Sequence, residues 1–496
     1  MSESKPTITI GRTSCRIIDE YDQSFIKRLD TELSFWMKGA EYSKAFRGYI
    51  DEETGKEVTW NGCRKLLSSS LRFPAGLLNR VCSLYDAYGK EYQLTDARGH
   101  IEPAKPIDIV TKLKSLGKIP YDYQLNTVNI AKDKSHGIIR IPTGGGKTII
   151  AALLAAALGK TTIIYVIGKD LLYQIHDLFT SLFDQPIGII GDGKCEIHDI
   201  NIATVWTVGQ ALGLKKNIKA EDEEDEKAVE QEKYKLIRDM LSRTKVHVYD
   251  EAHLAACDTI QTIAKRINPE HVYGMSASPW RDDGADLLIE AFLGQRIVEI
   301  SAKELIAGGY LVPPLIKFLA VPKQEKYSKQ FKTIYKDYIT ENDIRNNMIV
   351  TGAKRLVEQG FQTLILFHSI KHGEMLHKLM SKHLDVEILS GKDNSERRGL
   401  VKEKLESGKL NCILASKIFD IGVDCPSLSG LIIAGGGKSS VRALQRIGRV
   451  IRKHPGKTNA AIIDFADQAP YLLEHSKIRR KIYAEEFDVT WPEEKK

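Results

Sequence analysis

Paired cysteines are missing from this chain. Its seven cysteines, Cys15, Cys63, Cys82, Cys195, Cys257, Cys412 and Cys425, are odd in number, scattered, and nowhere spaced C-x-x-C. Neither a disulfide framework nor a cysteine-based zinc site follows. Long hydrophobic runs are missing as well: nothing approaches the roughly 18 uninterrupted apolar residues that cross a bilayer. The longest block, 149–158, is short and Ala-rich, as in a helix buried behind a loop. The opening residues, MSESKPTITI, carry no basic stretch leading into an apolar run, so a cytosolic protein without a membrane partner is expected. No short-period repeat is present, and no nuclease-like or methyltransferase-like motif.

What is there describes a globular protein of more than one core. A chain of 496 residues is too long for a single compact domain, and 42% hydrophobic with 28% charged residues suffices to fill two or three cores and solvate their surfaces. The formal charge of +7 pulls mildly towards polyanions, because excess Lys and Arg attract phosphate backbones. Residues 221–226 are all acidic. Such a run repels itself and reads as a solvated or disordered insertion, the alternative being a mimic of DNA charge that restrains binding.

Punctuation divides the chain into three regions. Residues 1–110 mix short β-rich runs, 7–10 and 15–18, with a helix candidate at 75–88, and end in a polar, Pro-containing stretch, 95–106, that reads as a linker. Residues 111–305 alternate strand-like runs, at 137–141, 162–167, 199–203 and 246–249, with helical segments, the pattern of a doubly wound parallel sheet. Pro313-Pro314 interrupts that series. A second one occupies 306–496, with strands expected at 363–367, 386–389, 412–415, 431–434 and 460–463. The fold class is therefore α/β: two tandem doubly wound parallel-sheet domains behind a small N-terminal α+β domain.

Three motifs carry chemistry. Pro142-Thr143-Gly144-Gly145-Gly146-Lys147-Thr148 lies between an apolar strand and an Ala-rich helix. Consecutive glycines let backbone N–H groups and a helix N-terminus close around phosphates. Lys147 would hold the β- and γ-phosphates of ATP, and the Thr148 hydroxyl would hold Mg²⁺. Ile141 stands where the strict G-x-x-x-x-G-K-[ST] pattern has its first glycine. Further on, an apolar strand runs into Asp250-Glu251-Ala252-His253. There Asp250 would bind the metal, and Glu251 would orient and deprotonate the attacking water. The stretch Gln445-Arg446-Ile447-Gly448-Arg449-Val450-Ile451-Arg452 would place Arg449 and Arg452 on one helix face. From a second domain, such arginines could reach across a cleft to charge growing on the γ-phosphate. Read alone, the stretch could instead be a plain basic helix resting on DNA phosphates.

In this order and across two α/β regions, the Gly-rich loop, the D-E-A-H string and QRIGRVIR resemble motifs I, II and VI of the superfamily 2 helicases, whose core is two RecA-like domains. The remaining motifs fall into place on that resemblance. Tyr123-Gln124 resembles the adenine-reading Q motif, with Asp122 where a proline is frequent. Residues 167–174 and 203–208 resemble motifs Ia and Ic, and Ser276-Ala277-Ser278 resembles the element that relays nucleotide state, with His253 linking to it. Residues 364–369 resemble motif IV. Phe419-Asp420-Ile421-Gly422-Val423-Asp424 resembles motif V, which implies that Gly422 and Asp424 approach the nucleotide. The resemblance assigns Gln445, Arg449 and Arg452 to the catalytic set, Gln124, Thr143, Gly144, Gly145, Gly146, Lys147 and Thr148 to ATP, and backbone contacts on a DNA strand to Gly168, Thr204, His368, Ser369 and Ser416.

GMSASPWRDDG (274–284) and LIAGGYLVPP (305–314) resemble the branch containing XPB and the phage UvsW-type helicases rather than the DEAD-box RNA helicases. Phe46-Arg47, Trp60-Asn61-Gly62 and 73–78 loosely resemble the small N-terminal DNA-binding domain of the UvsW type. The resemblance implies a monomeric, ATP- and Mg²⁺-dependent DNA helicase of a phage, at work in its bacterial host on forked or junction DNA during recombination, repair or replication restart. Trp36, Tyr49, Trp60 and Trp280 are candidates to stack on an exposed base pair, although aromatics also serve as ordinary packing residues. An RNA helicase, a duplex translocase that does not separate strands, and a nucleotide-gated clamp are the alternatives. Glu251 and Arg449 speak against the clamp, which needs neither a base nor a finger.

Overall fold

The computed structural model describes residues 5–37, 39–50, 55, 57–100, 103–214, 224–252, 257–277, 286–323, 330–391, 393–416, 425–437 and 440–492. Two compact units emerge: Met1–Arg140 with Lys147–Glu299, and Ile141–Gly146 with Ile300–Lys496.

Within the first unit a small sheet carries strands β1 (Thr7–Ile10), β2 (Ser14–Ile18), β3 (Arg72–Pro74) and β4 (Gln93–Asp96), in the order β3-β2-β1-β4. Helices α1 (Gln23–Glu32) and α2 (Leu78–Ala87) accompany it. The Asp22 carboxylate caps α1 by accepting from Ser24 N and Phe25 N, satisfying two donors the helix cannot pair itself. Ile8, Ile17, Phe25, Leu29, Phe73, Val81 and Tyr85 form the core of this layer, and that core continues into Ala291 and Leu287. It is thereby joined to helix α8 (Asp286–Leu293) of the larger sheet. A Cβ at Gly76 would lie 2.2 Å from the Glu290 carbonyl oxygen, so only glycine permits this approach.

The polar stretch 95–106 is not a linker throughout. Thr95 and Asp96 belong to β4 and pair with Thr9 and Ile10. All four β4 side chains are exposed, so no hydrophobic alternation marks a strand whose pairing comes from its neighbour's backbone.

The larger sheet of this unit comprises β5 (His136–Arg140), β6 (Thr162–Val166), β7 (Ile187–Gly191), β8 (Lys194–Glu196), β9 (Ile200–Thr204), β10 (Val246–Asp250), β11 (His271–Ser276) and β12 (Arg296–Glu299). Their order is β8-β7-β9-β6-β10-β11-β5-β12, parallel except for the β7–β8 hairpin. The central strands are buried along their whole length, which explains their unbroken β-branched runs. Helices α3 (Asp122–Lys132), α4 (Lys147–Leu158), α5 (Lys169–Leu182), α6 (Val205–Ala211) and α7 (Glu224–Arg243) make the crossovers and flanks. The first half of the acidic run, 221–223, lies outside the described residues; the backbone of the rest begins α7.

The second unit holds a seven-stranded, wholly parallel sheet: β13 (Pro314–Val321), β14 (Thr363–Leu366), β15 (Glu387–Leu389), β16 (Cys412–Ala415), β17 (Gly430–Ile433), β18 (Ala460–Asp467) and β19 (Val489–Thr490), ordered β15-β16-β14-β17-β18-β13-β19. Its helices include α9 (Phe331–Tyr335), α10 (Asp343–Glu358), α11 (Ile370–Met380), α12 (Ser440–Val450) and α13 (Leu472–Glu486). Strand β18 runs four residues past the expected 463, because Asp464 and Asp467 are buried against Arg479 and Arg345. Among the described residues no helix is long and apolar enough to cross a membrane.

Candidate nucleotide site and nucleic-acid edge

Parallel strands bring their carboxyl ends to one edge of a sheet, and in doubly wound folds ligands bind along that edge. The register of the first unit places the sequence motifs there. Asp250 lies opposite Met275, Met275 opposite Ile139, and Ser276 opposite Arg140. Asp250 and Glu251 therefore leave β10 level with Ser276 at the end of β11 and with the departure of β5 towards the Gly-rich loop. On the other side Val166 of β6 pairs with Thr204 of β9, and Gly168 follows two residues on as the N-cap of α5.

Glu251 has φ +58°, a left-handed conformation that side chains disfavour by about 1–2 kcal/mol. The chain thus bends sharply at the residue expected to be the base. In the loop, Gly144 and Gly146 have φ of +90° and +73°, and Gly145 N donates to the Pro142 carbonyl at 3.0 Å. A Cβ at Gly145 would lie 2.5 Å from Ile141 Cγ2. The glycines are therefore conformational requirements of the turn. Thr143 Oγ1 is buried without a hydrogen-bond partner among the described residues. Lys147 and Thr148 at the start of α4, and the Asp250 and Glu251 carboxylates at the end of β10, are a donor set whose chemistry fits a nucleoside triphosphate with Mg²⁺. No group of three or more His, Cys, Asp or Glu able to hold a metal without such a partner is present among the described residues.

Gln124 is buried on α3, and its Oε1 accepts from Tyr121 N at 3.0 Å, half of a capping box that fixes the helix start. Thr204 Oγ1 lies 2.8 Å from Thr207 Oγ1. In the second unit His368 and Ser369 follow β14, and Ser369 Oγ caps α11 by accepting from His372 N. Ser416 follows β16, with its N–H on the Leu389 carbonyl at 3.0 Å. These residues share the carboxyl edge of the second sheet. Gln445 and Arg449 are on α12, but Arg452 is not. The helix ends at Val450, and Arg452 forms an antiparallel bridge with Leu311 while Val312 N binds the Ile451 carbonyl at 2.9 Å. Extended pairing has overridden helical spacing, so Arg449 and Arg452 do not lie on one helix face. Burial lowers the pKa of the Arg452 guanidinium from its ordinary value. Gly422, Asp424, His253, Ser278 and Trp280 lie outside the described residues.

Comparison with known proteins agrees with this arrangement. The family model described as Type III restriction enzyme, res subunit, matches residues 109–281, and that of the helicase conserved C-terminal domain matches 346–454. The chain belongs to superfamily 2 of the helicases. Members of this class hydrolyse ATP, and this chain is an ATP-hydrolysing helicase. Among relatives, the ATP-dependent DNA helicase uvsW of Enterobacteria phage T4 is 26% identical over 94% of both chains. The DNA 3'-5' translocase XPB2 of Sulfurisphaera tokodaii is 24% identical over 67% of this chain and 78% of its own. The S. cerevisiae Dbp5 structure bound to RNA and ADP BeF3 aligns with TM-score 0.54 at 15% identity, covering 77% of this chain and 93% of that one. That likeness bears on the fold, a tandem RecA-like pair.

The helicase's expected stacking residues are unequally disposed. Trp60 is half-buried and donates its indole N–H to the Cys63 carbonyl at 2.7 Å, a packing role. Trp36 is 53% exposed and meets Phe46 edge-on at 5.8 Å, and Tyr49 is exposed too. Sequence reasoning missed Trp206, 57% exposed two residues after Thr204 on the same edge. The signal is present, since Trp206 falls within the 203–208 segment that resembles motif Ic, but a tryptophan there reads equally well as core.

Proposed function

We propose that this helicase is an ATP-driven DNA motor that unwinds or branch-migrates forked and junction DNA in phage recombination, repair or replication restart. Residues 1–110 would be an accessory DNA-binding domain, 111–305 the ATP-binding domain and 306–496 the second motor domain. The observation that carries the reading is the common carboxyl edge of β5, β11 and β10. On it the end of β5, from which the chain leaves towards the Gly-rich loop, lies opposite Ser276, and the strained Asp250-Glu251 turn follows beside it. The names of the uvsW and XPB2 relatives support DNA as the track.

In this reading the glycine N–H groups, Thr143 and Lys147 hold the phosphates, Thr148 and Asp250 hold Mg²⁺, and Gln124 faces the base. Held by Thr148 and Asp250, Mg²⁺ would supply neutralisation of phosphate charge. Glu251 orients the attacking water and takes its proton, while Gln445, Arg449 and Arg452 stabilise the charge that grows on the γ-phosphate. Gly422 and Asp424 approach the nucleotide, and His253, Ser276, Ala277 and Ser278 relay its state. Gly168, Thr204, His368, Ser369 and Ser416 grip sugar and phosphate, which confers little sequence preference. Trp206 adds a stacking face.

Steady-state ATPase activity measured with no nucleic acid, single-stranded DNA, a four-way DNA junction and a matched RNA duplex, alongside strand displacement, tests this. Stimulation and unwinding on the junction are expected. Stimulation by RNA alone would make the protein an RNA helicase, and stimulation by plain duplex without displacement would make it a translocase.

A further inference from the structure

Four consecutive carbonyls precede the arginine-bearing helix α12, and each is met by a side-chain donor of the second unit. Arg345 Nη1 donates to Ala434 O at 2.6 Å, Tyr335 Oη to Gly435 O at 2.7 Å, Arg446 Nη1 to Gly436 O at 3.5 Å, and Arg479 Nη1 to Gly437 O at 2.6 Å. Two of these donors are themselves fixed. Arg345 is wholly buried against Asp467, with its guanidinium 4.5 Å from the Phe465 ring centre. Arg479 is forked onto Asp464 by two 2.8 Å bonds. A planar guanidinium so held is a rigid donor.

Tyr335 differs from the two buried arginines. It is half-buried, and its ring meets the exposed His368 ring edge-on at 5.9 Å while its hydroxyl holds Gly435 O. His368 stands on the edge expected to grip the nucleic acid. The same two places also touch through the backbone. Gly435 N donates to Leu366 O at 2.9 Å, and a Cβ at Gly435 would come within 2.9 Å of His368 N. Beyond that contact Gly436 and Gly437 take φ of +61° and +114°. The turn into α12 can therefore change conformation where other residues could not, and its anchors decide which conformation it keeps.

We infer that Tyr335 is a positioning residue that transmits the state of the strand-gripping edge at His368 to the Gly435–Gly437 turn, and so to the arginines of α12. This rests on the proposed reading of His368 as a strand contact. Arg345 and Arg479 hold the ends of the turn fixed, and Tyr335 holds its middle. A shift of the His368 ring under a bound strand displaces the phenol, and with it the Gly435 carbonyl.

The test is Tyr335→Phe in the full chain, which keeps the ring and removes the donor, beside Tyr335→Leu, which removes both. The readouts are ATPase kcat with and without saturating single-stranded DNA, KM for ATP, and thermal unfolding. Tyr335→Phe should lower the ratio of stimulated to basal kcat by about tenfold, the scale of one well-formed hydrogen bond, with KM for ATP unchanged and unfolding temperature nearly so. Tyr335→Leu should lower the ratio further. An unchanged ratio in Tyr335→Phe, against a wild type that is stimulated, overturns this inference alone. A ratio that falls only together with a large drop in unfolding temperature overturns it too, leaving Tyr335 a packing residue. A wild type that no nucleic acid stimulates overturns both this inference and the proposed function.

Discussion

Replacing Glu251 separates catalysis from backbone strain, because two properties meet in that residue. Its carboxylate is the proposed base, and its φ of +58° lies where a Cβ is unfavourable by about 1–2 kcal/mol. Glu251→Gln keeps the shape and removes the base, so kcat should fall by about 10²–10⁴, or about 3–5 kcal/mol of barrier, while nucleotide binding persists. Glu251→Ala and Glu251→Gly should be as inactive but differ in stability. Alanine keeps the left-handed penalty, whereas glycine escapes it and gives back about 0.5–1 kcal/mol through the greater freedom of its unfolded chain. The glycine variant should therefore be the more stable by up to about 1.5 kcal/mol. Steady-state and single-turnover ATPase assays read the first effect, and denaturant unfolding of the Ala and Gly variants reads the second. A Gln variant within threefold of wild type would remove Glu251 from the chemistry. An alanine variant at least as stable as the glycine one would refute the strain argument while leaving the assignment of the base standing.

Lys147→Ala should reduce ATP turnover to background without disturbing the fold, and substantial residual ATPase would displace the phosphate assignment. Asp464→Asn leaves Arg479 buried without its counter-charge, a loss of about 3–5 kcal/mol. Calorimetry should show the second unit unfolding about 10 °C lower, and a shift of under about 2 °C would mean that the pair contributes little. Trp206→Ala should weaken single-stranded DNA binding by about 1–3 kcal/mol in fluorescence titrations, and undiminished affinity would return Trp206 to the ordinary surface. Burial, assisted by the charge of Arg345, pushes His372 down to about 3 from its ordinary 6.5. The folded value lies below the unfolded one, so this contribution is complete above about pH 6.5 and declines as pH falls towards 3, by about 2 kcal/mol at pH 5. His372→Gln should flatten that part of the second unit's pH–stability curve, and an unaltered slope would refute it.

Most strands were legible because burial on both faces leaves unbroken apolar runs: 412–415 was read to the residue, and 162–167, 246–249 and 431–434 to within one. The Gly-rich loop and the Asp250-Glu251 pair were legible for a different reason, since both lie on short contiguous stretches where residue type and order carry the chemistry. What escaped depended on partners distant in sequence. The sequence predicts an end to strand β18 at 463 because Asp464 and Asp467 look like solvent residues until Arg479 and Arg345 arrive from helices on either side of it in the chain. Helical spacing predicts a helix through Arg452 because spacing cannot show that Leu311 pairs with it.

The triple glycine 435–437 escaped in the same way. It was visible as a string, but a glycine run after a strand predicts only a turn. Nothing local says that Arg345, Tyr335, Arg446 and Arg479, drawn from three other helices and from α12 itself, converge on its carbonyls. The physical contrast explains where sequence reasoning stops in such an enzyme. Groups that touch a phosphate can be clustered on one loop, because a helix N-terminus organises them. Groups that set the position of an arginine helix must come from several elements, because a backbone turn is held only when its successive carbonyls are met from different directions. Mechanism at the first kind of place can be read from a motif, and mechanism at the second kind needs the fold.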